Sequence, residues 1–263
     1  EKEGSGIYVW NCNHTPANGS DDKYVSFLVK DRNEKVLNNE LRDIVQDAEG
    51  AIWIGTADGV VVYDYPDQVF DQTMYARVPQ LVVDGYLKNL LEGEKVTSIA
   101  VDGANRKWIG TAIGGLFLVS ADGTEQIMVW NVDNSKLFSN NIISVEVNQK
   151  NGEVFIGTDN GLQSFMGTAT EGKSDFSSIY AFPNPVKEGY QGLITIRGLI
   201  NKTNVKITDI SGNLVFETLS NGGDAIWNGK DMEGNDVQSG VYLVLCSNAT
   251  GEENAVTKIL IIR

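Results

Sequence analysis

One short phrase occurs three times: AIWIGTADGVVVY at 51–63, RKWIGTAIGGLFL at 106–118 and EVFIGTDNGLQSF at 153–165. Such self-similarity constrains the fold more than any other feature of the chain. A unit that recurs every few dozen residues is one that cannot bury its own apolar face, so that copies of itself must cover it. Aligned on the glycine that closes each turn, the copies put Gly59, Gly115 and Gly161 in register, and Gly6 in GIYVW marks the end of an earlier copy. The spacings are 53, 56 and 46 residues, in the range of propeller blades or solenoid units.

Each copy has the same internal order. An alternating apolar stretch opens it: LRDIV (41–45), VTSIAV (96–101) or IISVEV (142–147). Period-two alternation with β-branched residues reads as a half-buried strand. A polar turn follows, opened by Asp47, Asp102 or Asn148, whose side chains can bond the backbone two residues on. A second strand then carries an aromatic, a glycine and a threonine: Trp53, Gly55, Thr56; Trp108, Gly110, Thr111; Phe155, Gly157, Thr158. The aromatic is expected to pack on a neighbouring blade and the glycine to let strands approach closely. Gly59, Gly115 and Gly161 supply the positive φ of a hairpin turn into a third strand. Fourth strands are expected at YVSFLV (24–29) and IMVW (127–130), and less regularly at YARVPQLVV (75–83). Several short antiparallel strands per fifty residues, without helical periodicity, describe propeller blades. These phrases resemble the two-component-regulator propeller repeat, W-I-G-T-x-x-G-L, over residues 1–167. The resemblance implies blades, and closed propellers use about four to eight of them. Three full units and the tail of another lead us to expect the C-terminal piece of a longer propeller protein, with open edges able to self-associate.

The repeat ends near Met166. Residues 168–178 have the small, polar composition of a linker. From 179 to 263 short alternating strands are expected at 193–197, 205–210, 213–219, 241–246 and 258–263, with turns at Ser211–Gly212, Gly229, Gly234 and Gly240. About 85 residues of this pattern read as a small Ig-like β-sandwich. The fold class expected for the whole chain is therefore all-β, a partial propeller of three to four blades followed by that sandwich. W-N-G-K-D-M-E-G (227–234) and S-G-V-Y (239–242) resemble the immunoglobulin-like domain of the flagellar hook-capping protein. F-P-N-P (182–185), D-I-S-G (209–212), S-G-V-Y and the terminal T-K-I-L-I-I-R (257–263) resemble the C-terminal sorting domain of type IX secretion cargo in the Bacteroidetes. That second resemblance singles out Pro183, Asn184, Pro185, Asp209, Gly212, Gly240, Tyr242, Lys258 and Arg263. The family more often has Tyr-Pro where this chain has Phe182-Pro183.

The formal net charge is −14, and residues 174–263, with ten acids and seven bases, carry −3 of it, leaving −11 on residues 1–173. An acidic surface excludes the basic footprint of non-specific nucleic-acid binding and charge-driven docking on anionic lipid. No run of 18 apolar residues exists to span a membrane. The chain begins at Glu1 without Met or an apolar leader, so we expect a removed leader or a start inside a longer protein. Cys12 and Cys246 lie far apart and outside any CxxC pattern, and are expected to be free. The single histidine, His14, shares the loop NCNHTPANGS with Cys12, too few donors for a zinc site and no basis for a triad. DMEGND (231–236) spaces oxygens like part of a calcium loop but lacks the distant bidentate Glu, and reads as a hairpin turn. Sequons at Asn13, Asn18, Asn201 and Asn248 are read as coincidental in a bacterial protein. There is no P-loop and no GxGxxG.

No catalytic residue, cofactor or metal is expected. The residues and resemblances together point to a non-enzymatic, extracytoplasmic binding or scaffold protein exported by, or part of, type IX secretion. Its propeller would bind a protein of that machinery or a glycan, and its last domain would direct export or dock. The alternatives are a periplasmic oligosaccharide-sensing propeller of a hybrid two-component system, and an accessory part of a secreted polysaccharide-active enzyme.

Overall fold

The computed structural model describes residues 6–38, 40–83 and 85–263. It is all-β apart from one 3-10 turn at Pro66–Gln68. The chain divides into two compact units. The first is built from residues up to Val101, Asn105–Val147 and Val154–Ser164, and the second from Asp102–Ala104, Asn148–Glu153 and Phe165–Arg263.

The first unit is a row of propeller blades. A two-stranded sheet pairs β1 (Ile7–Asn11) with β2 (Lys23–Phe27). The next blade has three strands, β3 (Leu41–Gln46), β4 (Ile52–Thr56) and β5 (Gly59–Tyr63). Among the described residues this blade has no fourth strand. Residue Arg77 makes an isolated bridge to Val62, and the chain then leaves to form a separate hairpin, β6 (Gln80–Val83) with β7 (Tyr86–Asn89). This corrects the expectation of one strand at 75–83. Pro79 removes a backbone donor at the point where the strand would continue. The third blade is complete: β8 (Val96–Val101), β9 (Lys107–Thr111), β10 (Leu116–Val119) and β11 (Gln126–Trp130), in the order β11-β10-β9-β8. The last has β12 (Ile142–Val147), β13 (Glu153–Thr158) and β14 (Gly161–Met166).

Two features repeat that the alternation pattern alone does not reveal. The pairing of first and second strands slips by one residue at the same place in each of these three blades: between Leu41 and Asp43, Val96 and Ser98, Ile142 and Ser144. The residue after the slip then reaches the next blade. Asp43 Oδ2 accepts the Ile99 amide at 2.6 Å, and Ser98 Oγ accepts the Val145 amide at 3.1 Å. A bulge re-aims a side chain. Here it re-aims a polar one across the blade interface, so the interface is hydrogen-bonded as well as apolar.

The second unit is a sandwich of two sheets. One has β15 (Tyr180–Phe182), β16 (Ile194–Arg197) and β19 (Asp224–Trp227) in the order β15-β16-β19. The other has β17 (Asn204–Thr208), β18 (Leu214–Leu219), β20 (Gly240–Ser247) and β21 (Asn254–Ile261) in the order β18-β17-β20-β21. Its core gathers Ile196, Val205, Ile207, Trp227, Val244 and Ile259, all fully buried. The short strands β15 and β19 were not anticipated, and β21 begins four residues before the expected 258. The polar stretch after Met166 carries no strand but is bonded within this unit: Thr170 and Leu199 carbonyls accept the Gly223 and Lys173 amides, both at 2.8 Å.

Candidate functional site

The repeated phrase builds a turn. In the first copy Thr56 is fully buried, and its Oγ1 donates to the Gly59 carbonyl at 3.1 Å while accepting the Asp58 amide at 3.0 Å. Thr111 bonds Gly115 O and Gly114 N in the same way, and Thr158 bonds Gly161 O and Asn160 N. Gly59, Gly115 and Gly161 have φ of 81°, 93° and 123°, which only glycine adopts without strain. Gly55 and Gly110 lie against the first residue of the next blade. A Cβ on either would come within 2.5 Å of Val96 Cγ1 or Ile142 Cγ2. Gly157 instead faces its own blade, where an added Cβ would lie 2.6 Å from Ser144 Oγ. Trp53 and Trp108 are buried, and Phe155 is half-buried. These twelve residues build turns and blade contacts, and Thr56 among them also lines a small pocket with Lys35, Asp58 and Glu92.

Trp53 takes part in a hook between blades. Asp47 closes its own turn by accepting the Glu49 and Ala51 amides on Oδ1, and holds the Trp53 indole on Oδ2 at 2.9 Å. Lys107 of the next blade, fully buried, lies 4.4 Å over the Trp53 ring and donates to Asp47 Oδ2 at 2.8 Å and to two carbonyls, Asn105 and Ala121. Burial works against the Asp47 charge. The Lys107 hydrogen bond and charge, with the indole, outweigh it and hold the carboxyl below its ordinary value. The corresponding positions in the other two copies are Ile52 and Val154, which carry no cation to form such a hook.

The irregular blade provides the concave surface. A cleft of about 670 Å³ opens between the loop at 31–37, the segment 64–78 and the base of the β6–β7 hairpin. Asp31 Oδ1 accepts the amides of Asn33 and Lys35, which shapes the loop. Arg77 binds Asp64 through two nitrogens at 2.9 and 3.0 Å and reaches the Asp122 carbonyl at 3.2 Å. Glu34, at φ 62°, accepts the Tyr75 hydroxyl and the Lys30 ammonium, which keep its carboxyl below the ordinary value. The cleft's carboxylates Asp31 and Asp64 are thus committed to holding its walls.

In the second unit some of the singled-out residues meet at the last strand, and others close turns. Pro183 and Pro185 follow cis peptide bonds. Between them Asn184 clamps β21: its Nδ2 donates to the Lys258 carbonyl at 2.9 Å and its Oδ1 accepts the Leu260 amide at 3.0 Å. Val186 continues the contact through backbone bonds with Leu260 and Ile262. Arg263 donates to the Gly229 carbonyl at 3.1 Å and pairs with Asp236 at 3.3 Å, while Ser239 Oγ bonds its backbone at both ends. Tyr242 is buried with its ring edge-on to Trp227, and its hydroxyl donates to Gln238 O at 2.9 Å. Asp209 accepts the Ser211 and Asn213 amides and, with Gly212 at φ 87°, closes the turn before β18. Hydrogen bonds from Asn213 keep its carboxyl below the ordinary value. Asp231 in DMEGND does the same with Glu233 and Asn235, so that segment is a second copy of this turn. Gly240 starts β20, and Lys258 is exposed on β21.

Cys12 and His14 lie in the loop joining β1 to β2, Cys12 half-buried and His14 at φ 63°. Cys246 is buried in β20, where desolvation pushes its thiol up to about 12. No described helix is long and apolar enough to cross a membrane, which says nothing of strands.

Residues 180–263 match the secretion system C-terminal sorting domain, and residues 35–58 match the two component regulator propeller. No curated protein matches the sequence. Among solved structures, PorZ of Porphyromonas gingivalis is described as an essential bacterial surface component of the type-IX secretion system. It is 31% identical, with a TM-score of 0.68 over 98% of this chain and 35% of its own. The chain therefore spans about a third of PorZ's length. Two extracellular domains from B. thetaiotaomicron are also similar. One is assigned to the one-component system BT4673 (13% identity, 91% of this chain, 52% of that one, TM-score 0.39). The other is assigned to the hybrid two-component system BT3049 (14%, 92%, 46%, 0.38). With its sorting tail the chain is extracytoplasmic or at the cell surface. By sequence and by fold it is a PorZ-like propeller segment that ends in a type IX secretion sorting domain.

Proposed function

We propose that this chain is a non-enzymatic binding or scaffold protein of type IX secretion, whose propeller holds a protein or glycan partner and whose last domain directs export or docks on the machinery. One observation supports the reading: within the matched sorting domain Asn184 bonds β21 at Lys258 and Leu260, and Arg263 just beyond that strand bonds Gly229. A signal read by another protein must be presented in a fixed conformation, and this clamp supplies one. The propeller's part rests on its rigid blades and on the cleft of the irregular blade, since binding residues sit on loops held by a scaffold.

The test is surface display. Removing Lys258–Arg263 from the protein expressed in a type IX-competent cell is expected to leave it inside the outer membrane. The deletion also removes core residues Ile259 and Ile261, so an exposed substitution, Lys258→Glu, serves as the second variant. Unchanged display of both would overturn the sorting role.

A further inference from the structure

The cleft of the irregular blade is one part of a longer track. On one side it shares Gln72, Thr73 and Met74 with a slot of about 660 Å³ between residues 25–30 and 69–74. On the other it shares Lys35, Leu37, Val78 and Asn89 with a pocket of about 190 Å³ that ends at Asp58 and Glu92. All three lie in the first unit.

We propose that this track binds an extended polypeptide segment bearing carboxylates. The inference deepens the binding role proposed for the propeller and rests on it. Three observations point to a polypeptide. The slot runs beside β2, which pairs only with β1 among the described residues and so presents a row of backbone donors and acceptors at its outer edge. An added strand satisfies such an edge through main-chain hydrogen bonds, a mode open to peptides and closed to sugars. Across the slot stand residues 69–74, chain without strand pairing. Further along, the wall is the face of the β6–β7 hairpin that carries the Gln80–Asn89 amide pair, bonded at 3.0 Å, and two positions on, the cross-strand pair Val82 and Leu87. Residues two apart share a face. Val82 and Leu87 are 69% and 64% exposed, an apolar step suited to a side chain of the ligand.

Charge selects the ligand's sign. The cleft's acids Asp31 and Asp64 are tied to backbone amides and to Arg77, whereas Arg32 and Lys35, both exposed, pair with no carboxylate among the described residues. Two cations at the middle of the track, in a region of net charge −11, favour carboxylates there.

The experiment measures fluorescence anisotropy of the purified chain with three labelled probes: a ten-residue alternating Glu-Val peptide, its Lys-Val counterpart and an oligogalacturonate. The Glu-Val peptide is expected to bind, to weaken with salt, and to lose about tenfold in affinity in Arg32→Glu/Lys35→Glu. These two side chains form no ion pair with the described residues, and Lys88→Glu, on the hairpin but outside the track, is the control expected to leave binding unchanged. Equal binding of both peptides, no binding of either, or oligogalacturonate binding that depends on Arg32 and Lys35 would overturn the proposal. Because none of these variants touches the sorting domain, loss of peptide binding with intact surface display separates this inference from the export reading.

Discussion

The two units bury their cores by different means. In the sorting domain the two sheets face each other, so Trp227, Ile196 and Ile259 are covered by the domain's own strands. Even its buried ion pair is local: Arg197 binds Asp224 through two nitrogens, at 2.9 and 2.7 Å, from directly opposite positions on β16 and β19. In the propeller each sheet is covered by the next one, and the polar contacts follow suit. Asp43 to Ile99, Ser98 to Val145 and Lys107 to Asp47 all cross from one blade to another. A blade thus borrows its stability from its neighbour, as in repeat proteins generally. The sorting domain does not, since its two sheets cover each other.

The largest effect expected from this difference is at Lys107. Lys107→Met removes the cation and leaves the Asp47 carboxylate buried without it, a loss of about 3–5 kcal/mol. Urea unfolding followed by tryptophan fluorescence measures it. Adding Asp47→Asn should return part of the loss, because the amide oxygen still closes the turn and no charge stays buried, while the amide nitrogen faces the Trp53 indole N–H and cannot accept it. The pair also carries a pH signature. The folded Asp47 carboxyl is depressed below its ordinary 3.8, so its contribution is complete above that value and disappears as pH falls through the lower folded value. Wild type and the double variant should therefore converge in acid. A single variant within 1 kcal/mol of wild type at pH 7 would mean that apolar packing and the Asp43–Ile99 bond join these blades without help from the buried pair.

Much of this architecture is readable from the residues. Period-two alternation and a glycine eight or nine residues after an Asp or Asn locate β3–β5, β8–β10 and β12–β14. What lies across blades is not. Lys107 and Asp47 are 60 positions apart, and nothing local distinguishes Lys107 from a solvated lysine at a strand's start. The bulges escape notice because they add no unusual residue: Arg42, Thr97 and Ile143 are the extra ones, and all suit a strand. The segment 64–79 lacks any period, so neither the 3-10 turn nor the cleft it lines could be foreseen. In the tail, β15 and β19 are three and four residues long, too short for alternation to register. Asn184 stood out only through the family's motif. Its grip on β21 spans 76 positions.

A glycine pair sharpens the contrast at intermediate size. Gly115 and Gly212 share a left-handed φ, 93° and 87°. At Gly115 an added Cβ would lie 2.2 Å from the Trp130 carbonyl oxygen, whereas at Gly212 nothing lies within 4 Å. Gly212→Ala should therefore cost only the backbone conformation, about 1–2 kcal/mol. Gly115→Ala adds displacement of β11 and should cost about 3 kcal/mol. Equal losses in thermal unfolding would show that the blade edge yields freely and that its close approach is not a constraint.

The smallest effect should come from Asn184, and it decides whether the terminal strand is presented by a clamp or only by its ladder. β21 is already paired along β20 from Gly240↔Ile261 to Ser247↔Asn254. Asn184 adds two bonds on the strand's other side, at Lys258 and Leu260, near the exposed end. Asn184→Ala removes both while the backbone groups remain reachable by water, so the global loss is expected to be about 1 kcal/mol. The local consequence is larger than the global one if the clamp matters. Exchange of the Leu260 amide should quicken by about tenfold, while amides of Val244 and Ile207 in the same sheet keep their protection. Unchanged exchange at Leu260 would assign the order of β21 to its pairing with β20 alone, and the Pro-Asn-Pro segment would then have no part in holding the strand that the sorting reading depends on.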